Sequence, residues 1–299
     1  MRLLTHRDFD GVVCAVLLRD MEEIDKIMFT TPNTINRGKI FISKHDIISD
    51  LPYSKKCGMW FDHHFTNKNN LNFKGSFALK KSCAQVVYEY YENPYLDKYE
   101  KLIEATNKID SAEFEVEDIL NPKKYVLIAF SSMVYDTPWE TNKYLLKMVD
   151  WLAFKTPEEI LEIPEVKDNS EVILNDIEFY KDIIKAWTEV EDDKFFVLDM
   201  RNGRKAPKIA KFLVHALHPK IPFGVIIYQS EKNPELIKIN VSYNMFRKDV
   251  DTDFNAGEYA GQYGGGGHKR VGVFNTKGIE KAEILLEKTK EVLREIKIK

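Results

Sequence analysis

Short apolar runs recur through the first 110 residues, and several end abruptly in carboxylates or imidazoles. Runs at 2–5, 27–29, 39–43 and 47–49 have the length of strands, and Trp60-Phe61 leads straight into Asp62-His63-His64. Residues 12–21 instead carry apolar side chains at helical spacing. The pattern predicts an α/β module.

The remainder of the chain changes pattern twice. Helical periodicity holds from 123 to 163, and one long amphipathic helix is expected over 172–190. From residue 194 strand-like runs return, with a helix between them near 206–217. We therefore predict an α/β fold in three parts: a first domain over 1–165, a helical linker over 166–193, and a smaller α/β domain over 194–299.

Composition narrows the class of protein. The 299 residues are 44% hydrophobic and 30% charged, with a net charge of only −3. A protein that follows a long nucleic acid normally carries a basic excess, so the charge favours a small substrate over a long duplex. No apolar run is long enough to span a bilayer, and the N-terminus lacks the pattern of a secretory signal. Three cysteines without Cys-x-x-Cys spacing fit the cytoplasm.

Ligand-type side chains follow the first predicted strand. His6, Asp8 and Asp10 alternate along the chain, and Gly11 stands where the backbone must turn into the helix. A locally extended loop would aim alternate side chains in the same direction. Helix capping explains acidic residues near a helix start, but it does not require three alternating ligand types. These three residues are predicted metal ligands.

Further ligand types stand at the ends of other elements. Asp50 closes the predicted strand at 47–49, although Asp46 competes for the same role. Asp110 closes a helix predicted over 102–109. Adjacent residues on a strand point to opposite faces, so His63 and His64 are expected to do different jobs unless the strand ends between them. A helix starts at Ser82-Cys83-Ala84-Gln85, and its free amides are suited to an anion.

If these carboxylates and imidazoles lie close together in the fold, their types indicate which metal ions they bind. Mixed carboxylate and imidazole ligation without thiolate suits Mn²⁺, Mg²⁺ or iron better than a structural zinc. So many carboxylates repel one another unless about two metal ions neutralise them. Two ions generate a nucleophile at neutral pH and stabilise both oxygens of a phosphoryl displacement. The residues indicate metal-dependent hydrolysis of phosphoesters.

A glycine-rich segment stands out in the last third of the chain. Residues 257–267 hold six of the 14 glycines and end in Gly264-Gly265-Gly266-Gly267-His268-Lys269-Arg270. Successive glycines allow close backbone approach to a ligand, and their free amides bind oxyanions. A flexible linker is the alternative, but linkers are usually Gly/Ser mixtures. The segment is predicted to hold the phosphorylated substrate.

The ordered set His6-x-Asp8-x-Asp10, Asp50, Asp62-His63-His64, Asp110 and Gly264 to His268 resembles the DHH phosphoesterases with their DHH-associated C-terminal domain. The resemblance covers nearly the whole chain. It implies a parallel-sheet DHH domain, a helical linker, a smaller mixed-sheet domain and an active site in the cleft between them. It also implies two Mn²⁺ ions, with Mg²⁺ as an alternative.

The resemblance assigns roles residue by residue. His6 and Asp8 would bind one ion, Asp10, His63 and Asp110 the other, and Asp50 would bridge them. His64 would contact the scissile phosphate, and Asp62 would orient the neighbouring histidine. The substrate contacts would be Gly265, Gly266, Gly267, His268, Arg247 and Arg270, with Arg201 as a weaker candidate.

The family includes nanoRNases, cyclic-dinucleotide phosphodiesterases and adenosine bisphosphate phosphatases, and more distantly exopolyphosphatases and pyrophosphatases. Tyr243, Phe246, Tyr259 and Tyr263 near the glycines favour a nucleobase platform, with core packing as the alternative. We therefore expect a small nucleotide as substrate: a short oligonucleotide, a linear or cyclic dinucleotide, or adenosine bisphosphate. Hydrolysis of polyphosphate or pyrophosphate is the second hypothesis, and a non-catalytic nucleotide-binding module is the third. The sequence leaves a homodimer open.

Overall fold

The computed structural model describes residues 1–68, 72–201, 209–230 and 233–298. Its strands are β1 (Arg2–His6), β2 (Lys26–Thr30), β3 (Asp46–Ser49), β4 (Met59–Asp62), β5 (Gly75–Phe77), β6 (Thr188–Glu191), β7 (Phe195–Met200), β8 (Phe223–Ser230), β9 (Asn233–Tyr243), β10 (Gly266–His268) and β11 (Val271–Lys277).

The helices of the described chain are α1 (Phe9–Met21), α2 (Pro32–Asn36), α3 (Cys83–Tyr91), α4 (Glu100–Asp110), α5 (Val116–Leu120), α6 (Lys124–Ser131), α7 (Pro138–Phe154), α8 (Pro157–Leu161), α9 (Pro164–Trp187), α10 (Ala210–Leu217), α11 (Ala256–Gly261) and α12 (Ile279–Glu295). Three further segments, Phe65–Asn67, Pro94–Tyr99 and Ser132–Val134, form 3₁₀ helices.

The chain divides into two compact units. The first comprises residues 1–113 and 122–173, and the second comprises residues 114–121 and 174–299. Helix α9 begins in the first unit and ends in the second, and it covers most of the predicted linker. Residues 188–191 of that linker form β6 in the second sheet. The boundaries at 165 and 193, and the cleft between domains, stay predictions.

The first unit is built on a five-stranded sheet with the order β2-β1-β3-β4-β5. All neighbouring strands are parallel, as the family resemblance implied. Side chains alternate between its faces: Leu3, Ile47 and Phe61 join one core, beneath helices that include α1, α3 and α7. Leu4 and Trp60 join a smaller core on the other face. The α/β fold class is confirmed.

The direction in which successive strands are added to the sheet reverses between β1 and β3. The chain leaves β1 toward β2 on one side and returns to β3 on the other side. In open α/β sheets, the crevice outside the carboxyl ends of two such strands is where ligands bind. His6 ends β1 and Asp50 follows β3, so this crevice lies between two predicted metal ligands.

Gly11 allows the turn from β1 into α1. A Cβ atom at this position would lie 2.1 Å from the carbonyl oxygen of His6. Real Cβ atoms do not approach a carbonyl so closely, so any larger residue would displace the backbone that carries His6. The glycine therefore fixes the close approach of the helix to the end of the first strand.

One predicted strand does not form. Residues 39–43 lie outside any helix or strand, and Phe41 is 81% exposed. The apolar run was misleading because Ile40 and Ile42 pack against the smaller core of the sheet without forming a strand. β5, with only three residues, carried too little pattern to be predicted.

The second unit contains a six-stranded mixed sheet with the order β10-β11-β9-β8-β7-β6. Only β7 and β8 pair in parallel, and the other pairs are antiparallel. Its core includes Phe195, Phe223 and Phe274 and extends to Leu286 of α12. The predicted helix near 206–217 is α10, and its predicted residues 206–208 lie outside the described ranges. Among described residues, no helix is long and apolar enough to cross a membrane.

Candidate metal centre

The predicted ligands lie at the carboxyl edge of the parallel sheet or at helix ends beside it. His6 is the last residue of β1, Asp50 follows β3, and Asp62 is the last residue of β4. Asp10 lies in the first turn of α1 and Asp110 ends α4. Residues far apart in sequence meet here because parallel strands present the same end to one edge.

Three overlapping groups of donor atoms are close enough to hold metal ions. One contains His6, Asp8 and Asp50; a second contains Asp10, His63 and Asp110; a third contains Asp50, Asp62, His63 and His64. Within each group, the donor atoms lie within 4.8 Å of one another. The first two groups together contain all six predicted ligands.

Asp50 stands between the first two groups. Its Oδ2 lies 3.4 Å from Nδ1 of His6, and its Oδ1 lies 3.5 Å from Nε2 of His63. The residue is 1% exposed and holds a φ of 56°, a left-handed conformation that costs about 1 to 2 kcal/mol outside glycine. Aspartate tolerates this conformation better than most residues. Each carboxylate oxygen therefore faces one ligand group.

Asp46, the competing residue, lies at the opposite edge of the sheet. It begins β3, and its carboxylate accepts bonds of 2.6 and 2.9 Å from the guanidinium of Arg2. The backbone amide of Ser43 donates a further bond of 2.6 Å to it. The carboxylate is fully used in tying β1 to β3, so Asp46 is a structural residue and Asp50 is the one at the centre.

Asp10 is held by the start of helix α3. The amides of Cys83 and Ala84 donate to its two oxygens at 2.7 and 2.9 Å. The thiol of Cys14 lies 3.8 Å from Oδ1. Free amides at a helix N-terminus favour negative charge, so the anion predicted for this helix is the Asp10 carboxylate. Asp10 is on a helix rather than in the extended loop expected from its alternation with His6 and Asp8.

Asp8 has two functions that a single carboxylate can combine. Its Oδ1 accepts from the amide of Gly11 at 2.9 Å and so caps α1. Its Oδ2 lies 2.5 Å from Nδ1 of His6. Helix capping and a place in the first ligand group are therefore both present, and neither excludes the other.

The two adjacent histidines differ through the partners of their Nδ1 atoms. β4 ends at Asp62, so both follow the strand and strand alternation does not separate them. His63 Nδ1 lies 3.0 Å from the carbonyl oxygen of Lys80, which leaves Nε2 facing the carboxylates. His64 Nδ1 lies 2.9 Å from Oδ1 of Asp62. The histidine ring that Asp62 holds is thus His64, whereas the ring of His63 is held by a backbone carbonyl.

Asp62 has little capacity left for a metal ion. Its Oδ1 accepts from the amides of His63 and His64 as well as facing the His64 ring. Its Oδ2 accepts from Nδ2 of Asn67 at 2.6 Å. Sequence reasoning missed Asn67, although its place five residues after Asp62 was the available signal. It also missed the Lys80 carbonyl, for which a backbone group leaves no signal.

The negative charge of Asp50 and the positive charges of His6 and His63 stabilise one another. Burial opposes its charged form, but the imidazoles of His6 and His63 outweigh burial and lower the pKa of Asp50 to about 2. Burial likewise opposes the charged His6, yet Asp50 and Asp8 raise the pKa of His6 to about 11. The pKa of His63 is raised to about 10 against burial, chiefly by Asp50 and Asp10. In this state, protons on the histidines balance the carboxylates.

The other two carboxylates resist ionisation. Burial and the negative charge of Asp50 raise the pKa of Asp10 well above its ordinary range. The same two causes raise the pKa of Asp110 to about 7. A buried carboxylate cluster of this kind calls for added positive charge.

Divalent ions fit this donor set. Within the described ranges, both oxygens of Asp50 and Nε2 of His63 are buried without a hydrogen-bond partner. Buried polar atoms are rarely left unpaired, because the loss of water costs about 1 to 3 kcal/mol for each group. Cations in place of the histidine protons would satisfy these atoms and lower the carboxylate pKa values. The residues therefore define a divalent-metal site.

In the second unit, the glycine-rich segment forms a hairpin. Gly266 to His268 form β10, and these three residues are exposed. Cβ atoms on Gly265 and Gly267 would lie 2.2 and 2.1 Å from the carbonyl oxygens of Val273 and Val271. Tight packing against β11 alone therefore requires those two glycines. The substrate roles of Gly265, Gly266, Gly267 and His268 stay predictions.

The predicted arginines all have internal partners. The guanidinium of Arg270 donates to the carbonyl oxygens of Asn244 and Arg247 and lies 4.6 Å from the centre of the Tyr243 ring. Arg247 pairs with Asp249 at 2.7 Å. Arg201, the weaker candidate, pairs with Asp199 and Glu283. Phosphate contacts from Arg247 and Arg270 stay predictions, since either would compete with these bonds.

Two of the four aromatic residues near the glycines belong to the core. Tyr243 and Tyr259 are 4% and 6% exposed, and their hydroxyls bond to Thr252 and Thr289. Tyr263 is partly buried against the same core. Core packing thus accounts for Tyr243 and Tyr259, and neither supports a nucleobase platform.

Comparison with solved structures identifies the fold. A pGpG-specific phosphodiesterase, PggH from Vibrio cholerae, superposes with a TM-score of 0.83 at 27% identity, over 98% of each chain. An exopolyphosphatase-related protein from Bacteroides fragilis has a TM-score of 0.55 at 12% identity, over 98% of this chain and 93% of that one. The exonuclease RecJ bound to manganese has a TM-score of 0.56 at 12% identity, over 99% and 90%.

No family model and no curated protein matches the sequence. The two likenesses at 12% identity show the fold alone. Together with the likeness to the phosphodiesterase, they confirm the resemblance drawn from the ordered motifs: the chain has the fold of the DHH-family phosphoesterases. It is accordingly a hydrolase.

Proposed function

We propose that the chain is a two-metal, manganese-dependent phosphodiesterase of small nucleotides, with short linear dinucleotides as the leading substrate. The observation that carries the proposal is Asp50. Its two buried oxygens lack hydrogen bonds within the described ranges, and one faces each of the two ligand groups. A pure binding module has no need of a carboxylate placed between two such groups.

The ligand roles follow from the grouping. His6, Asp8 and Asp50 would hold one ion, and Asp10, His63 and Asp110 would hold the other, with Asp50 shared. Two bound ions would supply a nucleophile at neutral pH and charge stabilisation for the transferred phosphoryl group. The amides of Cys83 and Ala84 and the carbonyl of Lys80 orient their ligands, as outer-shell partners do in metal sites.

His64 has a separate role toward the phosphate. The bond to Asp62 raises the pKa of His64, and it engages Nδ1. Asp62 accepts from Nδ1–H and stabilises the imidazolium form of the ring, which carries a proton on Nε2 as well. In that form Nε2 donates to a phosphoryl oxygen as negative charge accumulates there. Asp62 and Asn67 act on this step by fixing the orientation of the ring.

The likeness to a pGpG phosphodiesterase at 27% identity over nearly the full length supports a dinucleotide. The net charge of −3 supports a short substrate over a polymer, because following a long backbone requires a basic excess. The manganese seen in a related fold and the mixed carboxylate and imidazole donors support Mn²⁺, with Mg²⁺ as an alternative.

The proposal is tested by assaying the purified full chain against pGpG, cyclic di-GMP, adenosine 3′,5′-bisphosphate and inorganic polyphosphate. We expect Mn²⁺-dependent cleavage of pGpG to GMP, with kcat/KM of at least about 10⁴ M⁻¹s⁻¹. A chelator should abolish cleavage, and added Mn²⁺ should restore it. Consumption of polyphosphate alone would favour the exopolyphosphatase hypothesis. Mn²⁺ binding without turnover of any substrate would favour the non-catalytic module.

A further inference from the structure

Two large apolar side chains are exposed on segments bonded to the Asp62-His63-His64 corner. Phe65 is 72% exposed and Leu79 is 58% exposed. Single exposed apolar residues are ordinary on protein surfaces. These two differ because the backbone that carries each one is tied to the strand end from which the histidines project.

Phe65 begins a short 3₁₀ turn that is locked to β4. The amide of Asn67 donates to the carbonyl oxygen of His64 at 2.9 Å, which closes the turn. The Asn67 side chain donates to Asp62 at 2.6 Å, so the turn is also fixed to the end of β4. The backbone that carries the exposed ring is therefore anchored at both places and follows His64 directly.

Leu79 is held by bonds on both sides. The amide of Ala78 donates to the carbonyl oxygen of Asp62 at 3.3 Å. The carbonyl oxygen of Lys80 lies 3.0 Å from Nδ1 of His63. Leu79 therefore stands between two residues whose backbone groups contact the Asp-His-His corner, so the backbone that carries its exposed side chain is anchored there.

We infer that Phe65 and Leu79 are specificity residues that contact a nucleobase of the substrate. This rests on the proposed function and adds to it the source of its preference for nucleotides. A nucleobase next to the scissile phosphate needs a flat apolar surface, and aromatic rings stack on any base. Phe65 directly follows the histidine assigned to the phosphate and would supply that surface, and Leu79, in the chain segment that holds His63, would supply an aliphatic contact.

A depression on the first unit that Ala78 and Tyr90 help to line is the less suitable place for a base. It has a volume of about 640 Å³, but its lining includes Glu89, Glu92 and Asp97. Three carboxylates repel a phosphorylated ligand. The apolar pair on the segments bonded to the Asp-His-His corner is therefore the better partner for a base.

The test compares Phe65→Ala and Leu79→Ala with Phe41→Ala as a matched control. Phe41 is 81% exposed, and its carbonyl accepts from Arg2 at the opposite edge of the sheet. The substrates are pGpG and an analogue with the same phosphodiester and abasic sugars. We expect Phe65→Ala to raise KM for pGpG by roughly 5- to 100-fold, with a smaller rise for Leu79→Ala. KM for the abasic analogue, Mn²⁺ affinity and the control variant should stay unchanged, and Phe65→Tyr should restore wild-type KM.

The outcomes separate this inference from the proposed function. If the wild type cleaves pGpG and Phe65→Ala has the same KM for it, the inference is wrong and the function stands. An equal rise in KM for pGpG and the abasic analogue also overturns it, because base contact is then not what was lost. If the wild type cleaves neither substrate, the proposed function itself fails.

Discussion

Replacing Asp50 with Asn is expected to abolish Mn²⁺-dependent hydrolysis. The substitution keeps the size of the side chain but removes the charge between His6 and His63, which lie 3.4 and 3.5 Å from its oxygens. Loss of one electrostatic stabiliser typically costs about 10²- to 10³-fold in kcat, and a shared ligand should cost at least the upper figure. Steady-state kinetics and Mn²⁺ titration calorimetry measure the effect, and calorimetry should show weakened binding at both sites.

Asp46→Asn is the matched control on the same strand. It should lower the free energy of unfolding by about 1 to 3 kcal/mol, because the carboxylate that bonds Arg2 loses its charge. Mn²⁺ affinity and kcat should stay at wild-type values. If Asp46→Asn abolished turnover and Asp50→Asn did not, the assignment of the shared ligand would be reversed.

Replacing His64 with Ala is expected to lower kcat by about 10²- to 10³-fold and to leave Mn²⁺ affinity intact. The reason is that His64 belongs to neither of the two ligand groups that Asp50 joins, so its ring is assigned to the phosphate and not to an ion. His63→Ala is the comparison, since Nε2 of His63 lies 3.3 Å from Asp110 and 3.8 Å from Asp10. It should weaken Mn²⁺ binding as well as turnover. Equal losses of Mn²⁺ affinity in the two variants would refute the division of roles.

Much of the fold was predictable because parallel strands buried on both faces have a simple pattern. Leu3, Ile47 and Phe61 pack on one face while their neighbours pack on the other, so the runs are apolar throughout. The strand predicted at 39–43, which does not form, shows the limit of this pattern. Apolar side chains can pack on a core without forming a strand, as Ile40 and Ile42 do, while Phe41 between them lies in solvent.

The sequence predicted which residues form the metal centre better than it predicted the partner and orientation of each side chain. His6 and Asp50 follow strands that end at the same edge, so their convergence follows from the parallel sheet alone. The parallel sheet alone does not decide between Asp50 and Asp46. That choice depends on the direction in which β3 runs past β1 and on the partner of each carboxylate. In the structure, the guanidinium of Arg2 donates to Asp46, whereas the oxygens of Asp50 have no hydrogen-bond partner among the described residues and lie at the metal centre.

The orientation of the two histidines could not come from sequence spacing. It is set by a backbone carbonyl at Lys80 and by the end of β4 at Asp62. The arginines show that charge alone does not identify a phosphate contact. Arg270 has the charge and the position in sequence expected of such a contact, yet its guanidinium bonds to backbone carbonyls. Charge in a sequence does not state which partner uses it.

The central claim is that two ions share Asp50 at the carboxyl edge of the parallel sheet. Anomalous scattering from a crystal of the full chain grown with Mn²⁺ tests it most directly. Two manganese peaks about 3.5 to 4 Å apart are expected, with one oxygen of Asp50 bound to each, His6 and Asp8 at one ion, and Asp10, His63 and Asp110 at the other. A single peak, or two peaks without Asp50 between them, would contradict the account.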